Sequence, residues 1–157
     1  MKEQSENTHQ APAPDPALRR LDRLVGTWRL NGRPLGATRD SISGTSTYRW
    51  LPGGFFLQQK MSMDYDGTQI ESYELIGYDS STKAFASHVY SNMAPDPWPY
   101  RWDIQGDDWS ISIEHGPMNA RFEGRFDGDT FKGGWRPNPG ADEQMNAPYD
   151  IEGTRVS

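Results

Sequence analysis

A chain of 157 residues with a formal charge of −6 is long enough for one domain with a real core. Its acidity argues against nucleic acid as the main partner, because neutralising phosphates takes a basic surface. It has no cysteine, which excludes disulfides, thiolate metal sites and thiol nucleophiles. No apolar run approaches the roughly 18 residues that span a bilayer, and the first residues carry no apolar signal segment, so a cytoplasmic protein with no membrane partner is expected.

Residues 1–14 are polar and end in Ala-Pro-Ala-Pro, a composition too poor in apolar surface to order itself. They read as a disordered tail ahead of a domain over 15–157. Asp15-Pro16 opens a helix over Ala17–Leu24, with Asp15 as the cap and Pro16 at the first helical position. Leu18, Leu21, Leu24 and Val25 share one face, with Arg19, Arg20 and Arg23 on the other, so this short helix needs a surface to pack on. It runs into Gly26-Thr27-Trp28, where glycine permits a bend and the indole supplies a large apolar plug.

From Gly26 onward the helical period is lost. Strand patterns cover 27–31, 42–50, 55–64, 69–78, 84–91, 99–105, 109–114, 120–126, 130–136 and 149–156. Readable turns separate them, among them Leu51-Pro-Gly-Gly54, Asp66-Gly67 and Asp127-Gly-Asp129. Sixteen glycines and twelve prolines suit short strands and turns better than a helix bundle, and six Trp, seven Tyr and six Phe provide the bulk of a core. The spacing predicts an all-β fold: a single closed up-and-down antiparallel barrel of about ten strands with a short N-terminal helix, closure removing the exposed edges.

The late strands alternate cleanly. Trp109, Ile111 and Ile113 oppose Ser110, Ser112 and Glu114; Ala120, Phe122 and Phe126 oppose Arg121, Glu123 and Arg125. The middle strands mix polar and apolar residues on both faces, as Gln58, Lys60, Glu74, His88, Tyr90 and Arg101 illustrate. A lined cavity would produce such mixing.

A helix leading into Gly26-Thr-Trp28, a long meander, and Gly153-Thr-Arg155 near the end together resemble the calycin superfamily. In lipocalins the Gly-x-Trp tryptophan closes one end of the barrel and a C-terminal arginine packs over it. The pattern is also similar to uncharacterised bacterial lipocalin-like families that begin Leu-x-Gly-x-Trp and carry turns like Leu51–Gly54 and Gly77–Asp79. The resemblance spans residues 18–156 and implies a guanidinium over the indole, a contact of roughly 0.5–2 kcal/mol. Haem-binding barrels related to this group use a late-strand histidine as iron ligand; strands 130–136 and 149–156 contain none, leaving only His88 or His115 as substitutes, so no cofactor is expected.

Three functions stay open. The first is binding of a small apolar or aromatic molecule in the barrel, with Trp50, Phe56, Gln58, Tyr73, His88, Tyr90, Arg101, Trp102 and Phe122 as its wall. An off-by-one parity in the middle strands would move such a set outside. The second is a cofactor-independent cyclase or isomerase, with His88 or Glu74 as acid or base and Tyr90 or Arg101 holding a developing oxyanion. The third is a protein-interaction module with a filled interior. His115, beside Gly116-Pro117, reads as an exposed turn residue, and no histidine pair stands at metal-ligand spacing, so no metal is expected. The proline-rich stretch Tyr90–Trp102 and the long segment Gly133–Met145 are either ordinary connections or loops at the barrel mouth. Oligomeric state stays open, a homodimer included.

Overall fold

Ten antiparallel strands wind up and down and close on themselves. They are β1 (Gly26–Pro34), β2 (Ile42–Trp50), β3 (Leu57–Tyr65), β4 (Thr68–Asp79), β5 (Ala84–Ser91), β6 (Trp98–Gln105), β7 (Asp108–His115), β8 (Met118–Asp127), β9 (Thr130–Pro137) and β10 (Tyr149–Arg155). This computed structural model describes residues 11–157; the tail expected over 1–14 lies, up to residue 10, outside the described residues. Each strand pairs with its sequence neighbours, and β1 also pairs with β10, Trp28 standing opposite Arg155 and Pro34 opposite Tyr149. The expected all-β closed barrel is therefore the observed fold. Among the described residues no helix is long and apolar enough to cross a membrane.

The N-terminal helix is a 3-10 helix, Pro16–Leu24, not the α-helix expected. Its leucines explain the difference. Leu18, Leu21 and Leu24 recur every third residue, and a helix of three residues per turn stacks all three on one side, where they are 3%, 0% and 1% exposed. Asp15 caps the start by accepting from the Ala17 amide. The opposite face is not simply wet. The Arg20 guanidinium lies 4.9 Å from the Phe85 ring centre and donates to the Ile104 carbonyl; that of Arg23 lies 4.6 Å from Phe126 and donates to the Gly106 carbonyl and Asp107 carboxylate. These arginines fasten the helix across the barrel end.

Beneath it, Trp28 is buried between Phe126 and Phe131, and its indole N–H donates to the Leu24 carbonyl at 2.8 Å. The Arg155 guanidinium lies 4.4 Å from the Trp28 ring centre and donates to the Arg23 and Val25 carbonyls and to Asp129. Gly26 is required here. Its φ is +125°, and a Cβ would come within 2.5 Å of the Ser157 carbonyl oxygen and 3.0 Å of the Arg155 guanidinium. Helix, Trp28 and Arg155 seal one end; the opposite end is the mouth.

Trp28→Ala is expected to destabilise the protein by about 3–5 kcal/mol in urea unfolding, the range for deleting a large buried ring. A loss below about 1 kcal/mol would show that the ring is not a plug.

Candidate functional site

Inside the barrel, between the plug and the mouth, lies a cavity of about 350 Å³. That volume is at the lower end of the range typical of small-molecule sites. Its wall has two halves. β7 to β10, with β1, contribute Ile111, Ile113, Ala120, Phe122, Phe131, Trp135, Tyr149, Ile151 and Leu30, a continuous apolar surface. β2 to β5 contribute Ser46, Tyr48, Gln59, Ser72, Glu74 and Ser91 among apolar neighbours.

Glu74 is the centre of the polar half. It is 3% exposed, and its Oε2 accepts from the Ser87 hydroxyl at 2.5 Å and from the Trp102 indole N–H at 3.0 Å. The protein hydrogen bonds to Glu74 among the described residues reach Oε2 alone, and the side chain lines the cavity. Burial pushes its carboxyl up from 4.5 to about 7, the bonds from Ser87 and Trp102 opposing the rise. Next to it Gln59 donates to the Ser46 and Tyr48 hydroxyls at 2.7 and 2.8 Å. Burial and the charge of Glu74 hold the Tyr48 and Tyr100 phenols well above their ordinary range. Both therefore stay neutral at any working pH.

Two loops shape the mouth. The 92–97 connection brings Met93 to the rim and leads into Trp98 and Tyr100, which face inward. The 138–148 segment folds over the opening and contributes Met145, Asn146 and Ala147 to the lining. Asn146 pins it there: buried, it accepts from the Asn119 amide and donates to the Pro117 and Asp142 carbonyls. Both long segments singled out in the sequence thus lie at the mouth.

The expected wall divides sharply. Trp102 and Phe122 line the cavity, as does Glu74 from the acid–base candidates. Tyr73, His88, Tyr90 and Arg101 face outward, Tyr73 and Tyr90 being 50% and 54% exposed. Gln58 also sits on the outer face, beside Leu75. Phe56 precedes β3 and lies over Gly77, where a Cβ would meet its ring at 2.7 Å. Trp50 packs under the helix at the sealed end, its indole N–H bonded to Asp22 and Arg19 over its ring. The cause is a mixed alternation: on β4 and β5 Tyr73, Leu75 and Tyr90 point to solvent while Ser72, Glu74 and Ser87 point inward. His115 stands exposed at the β7–β8 turn, so neither His88 nor His115 reaches the interior.

The residues missed are Ser46, Tyr48, Gln59, Ser72, Ser87 and Tyr100, together with the methionines. Met61, Met63, Met93, Met118 and Met145 all line this cavity, which leaves only Met1 elsewhere in the chain. Their signal was present for Tyr100, which alternates with Trp98 and Trp102. For the small polar residues there was none.

Residues 13–133, more than half of the chain, match the family described as "Protein of unknown function (DUF1579)". The chain belongs to the DUF1579 family. None of the curated proteins compared with it matches. Among solved structures, the crystal structure of Rv2717c from M. tuberculosis is similar with a TM-score of 0.60 and 14% identity, over 92% of this chain and 99% of that one. At that identity the likeness extends to the fold alone.

The DUF1579 barrel carries a stability consequence of Glu74. In the folded protein the carboxyl holds its proton to about pH 7, against 4.5 as its ordinary value. Its contribution is therefore complete below pH 4.5 and is lost as pH rises through 7. Between pH 5 and 8 the wild type is expected to lose up to about 3 kcal/mol relative to Glu74→Gln in urea unfolding. Parallel pH profiles for the two proteins would contradict a buried, cavity-lining carboxyl.

Proposed function

We propose that this protein binds a small, largely apolar or aromatic molecule inside its barrel. The observation that carries the reading is the cavity of about 350 Å³ inside the barrel, with an apolar wall on one side and a few convergent polar groups on the other. Apolar walls supply affinity; Glu74, Gln59 and the Tyr48 hydroxyl fix orientation. Trp102 and Phe122 are proposed as ligand contacts, with Tyr100 and the methionines of the mouth. Kinship with the calycins is part of the same reading, supported by Gly26-Thr-Trp28 and by the Arg155 guanidinium over Trp28. A cytoplasmic location and the absence of nucleic-acid or membrane partners also stand as proposals.

The cavity weighs against a filled-barrel interaction module. A cyclase or isomerase is supported less well than binding, because of His88, Glu74, Tyr90 and Arg101 only Glu74 faces the interior. Tyr90 and Arg101, the groups expected to hold a developing charge, do not reach that acid–base group.

The test uses a neutral apolar dye, N-phenyl-1-naphthylamine, followed by its fluorescence on binding, with native mass spectrometry to look for a co-purified molecule. Ser91→Trp puts a large ring at the rim of the cavity and is expected to weaken dye binding by about tenfold or more. Tyr90→Ala, one residue away but on the outer face, is expected to leave affinity unchanged. Equal effects of the two substitutions, or a wild type that binds no dye and carries no co-purified molecule, would sink the reading.

A further inference from the structure

We propose that the ligand is an organic cation: an apolar or aromatic body carrying a protonated amine or quaternary ammonium group that lodges against Glu74. This rests on the cavity-binding reading and adds the charge that the cavity selects.

Four observations carry it. Glu74 is the one Asp, Glu, Lys, Arg or His among the residues lining the cavity, so the interior offers a negative charge and no positive one. Ser87 and Trp102 both aim hydrogen-bond donors at Oε2, an arrangement that receives an anion, while Oε1 accepts no protein hydrogen bond among the described residues and lies open to the cavity for a ligand donor. Tyr48, Tyr100, Trp98 and Trp102 line the same cavity, and the negative faces of such rings complement a carboxylate in holding ammonium groups. The mouth extends the pattern outward. Its five connections, 35–41, 66–67, 92–97, 116–117 and 138–148, carry Asp40, Asp66, Asp96, Asp142 and Glu143 against the single cation Arg39. Asp40 is engaged by Arg33 on β1, and the other four acids are in no ion pair among the described residues. The arginines of the N-terminal helix sit at the sealed end. A cation approaching the opening is therefore drawn in, and an anion is turned away twice, at the rim and at Glu74.

The alternatives fit less well. A neutral apolar ligand leaves a buried carboxyl in the wall with one oxygen unpartnered, a cost that a cation removes. The titratable groups facing Glu74 are the Tyr48 phenol from β2 and the Tyr100 phenol from β6, both neutral at working pH, with uncharged Gln59, Ser87 and Trp102 from β3, β5 and β6. Among the described residues no cation lines the site. The methionines define what accompanies the charge. Five flexible thioethers spread around the cavity adapt to varied shapes, so selectivity rests on the charge and less on the outline of the apolar body.

The test compares three probes of one shape by isothermal titration calorimetry at pH 8: 1-naphthylmethylamine, 1-naphthalenemethanol and 1-naphthoate. The wild type is expected to bind the amine about tenfold or more tightly than the alcohol, and the carboxylate most weakly. Amine affinity falls as pH is lowered from about 8 to 5.5, where Glu74 takes up its proton, while alcohol affinity does not. Glu74→Gln brings the amine and alcohol affinities together. Equal binding of amine and alcohol by the wild type, or a preference that survives Glu74→Gln, overturns the proposal and leaves the cavity-binding reading in place. Failure of all three probes to bind overturns both. The wild-type comparison and its pH profile need no substitution, so the result does not depend on the variant folding.

Discussion

The contact on which the rest of this structure depends is Arg155 on Trp28. It joins the last strand to the first across the closing seam of the barrel, where β10 pairs with β1. The same guanidinium ties the Arg23 and Val25 carbonyls at the end of the helix and the Asp129 carboxylate in the β8–β9 turn. One cation thus satisfies carbonyls that a helix end leaves without partners, covers the largest ring of the plug, and locks three parts of the chain. Gly26 follows from it, since any Cβ there would occupy the space of Arg155 and the Ser157 carbonyl. With that end sealed, exchange with solvent is left to the mouth, and every functional feature is displaced toward it.

The sealed end and the cavity obey different rules. Around Trp28 the rings of Phe126, Phe131 and Trp109 meet at centroid distances of 5.0 to 6.1 Å. On the β2 to β5 side the cavity wall instead carries hydroxyls, thioethers and one carboxyl, groups that make a poor core. A domain of this size that needed only stability would fill the space with branched aliphatic residues, and Glu74 would be the first group replaced, since burying it unpaired is costly. Its hydrogen bonds to Ser87 and Trp102 offset only part of that cost. The interior is therefore not one that stability alone would select, which supports the binding role proposed above.

The fold was legible because its signals are local: turn dipeptides, strand lengths, the capped helix and Gly-x-Trp all act within a few residues. The site was legible only where the core is ordinary. On β7 and β8 apolar residues face in and polar residues out, and Phe122 is placed correctly from its neighbours alone. On β4 and β5 both faces are mixed: Ser72, Glu74 and Ser87 point inward beside Ile76, Phe85 and Val89, while the outer face carries Tyr73, Leu75 and Tyr90. Alternation then assigns the wrong set, and Tyr73 stands where Glu74 belongs. One constraint within reach would have corrected it. Arg101 and Trp102 are consecutive on β6 and cannot both face inward, and with Trp102 in the core the ladder pairing it to Phe85 turns Ser87 inward and His88 outward. The helix type was less accessible, since leucines at spacing three satisfy an α-helix nearly as well as a 3-10 helix.

A mixed inner face leaves the closure of the barrel intact. Ladder hydrogen bonds hold the ring of strands together regardless of which face is apolar, and the seam at β1 and β10 is fixed by Trp28 and Arg155 at one end. At the other, Asn146 and Asn138 hold the 138–148 segment across the opening through hydrogen bonds to Pro117 and Asn119. A cover held by a few hydrogen bonds can open at lower cost than one held by a packed core, because water replaces such bonds well. The two ends are therefore built on opposite principles: apolar and ionic stacking where nothing should pass, and an exchangeable polar latch where a ligand would. The adaptable methionines lie on the side of the latch.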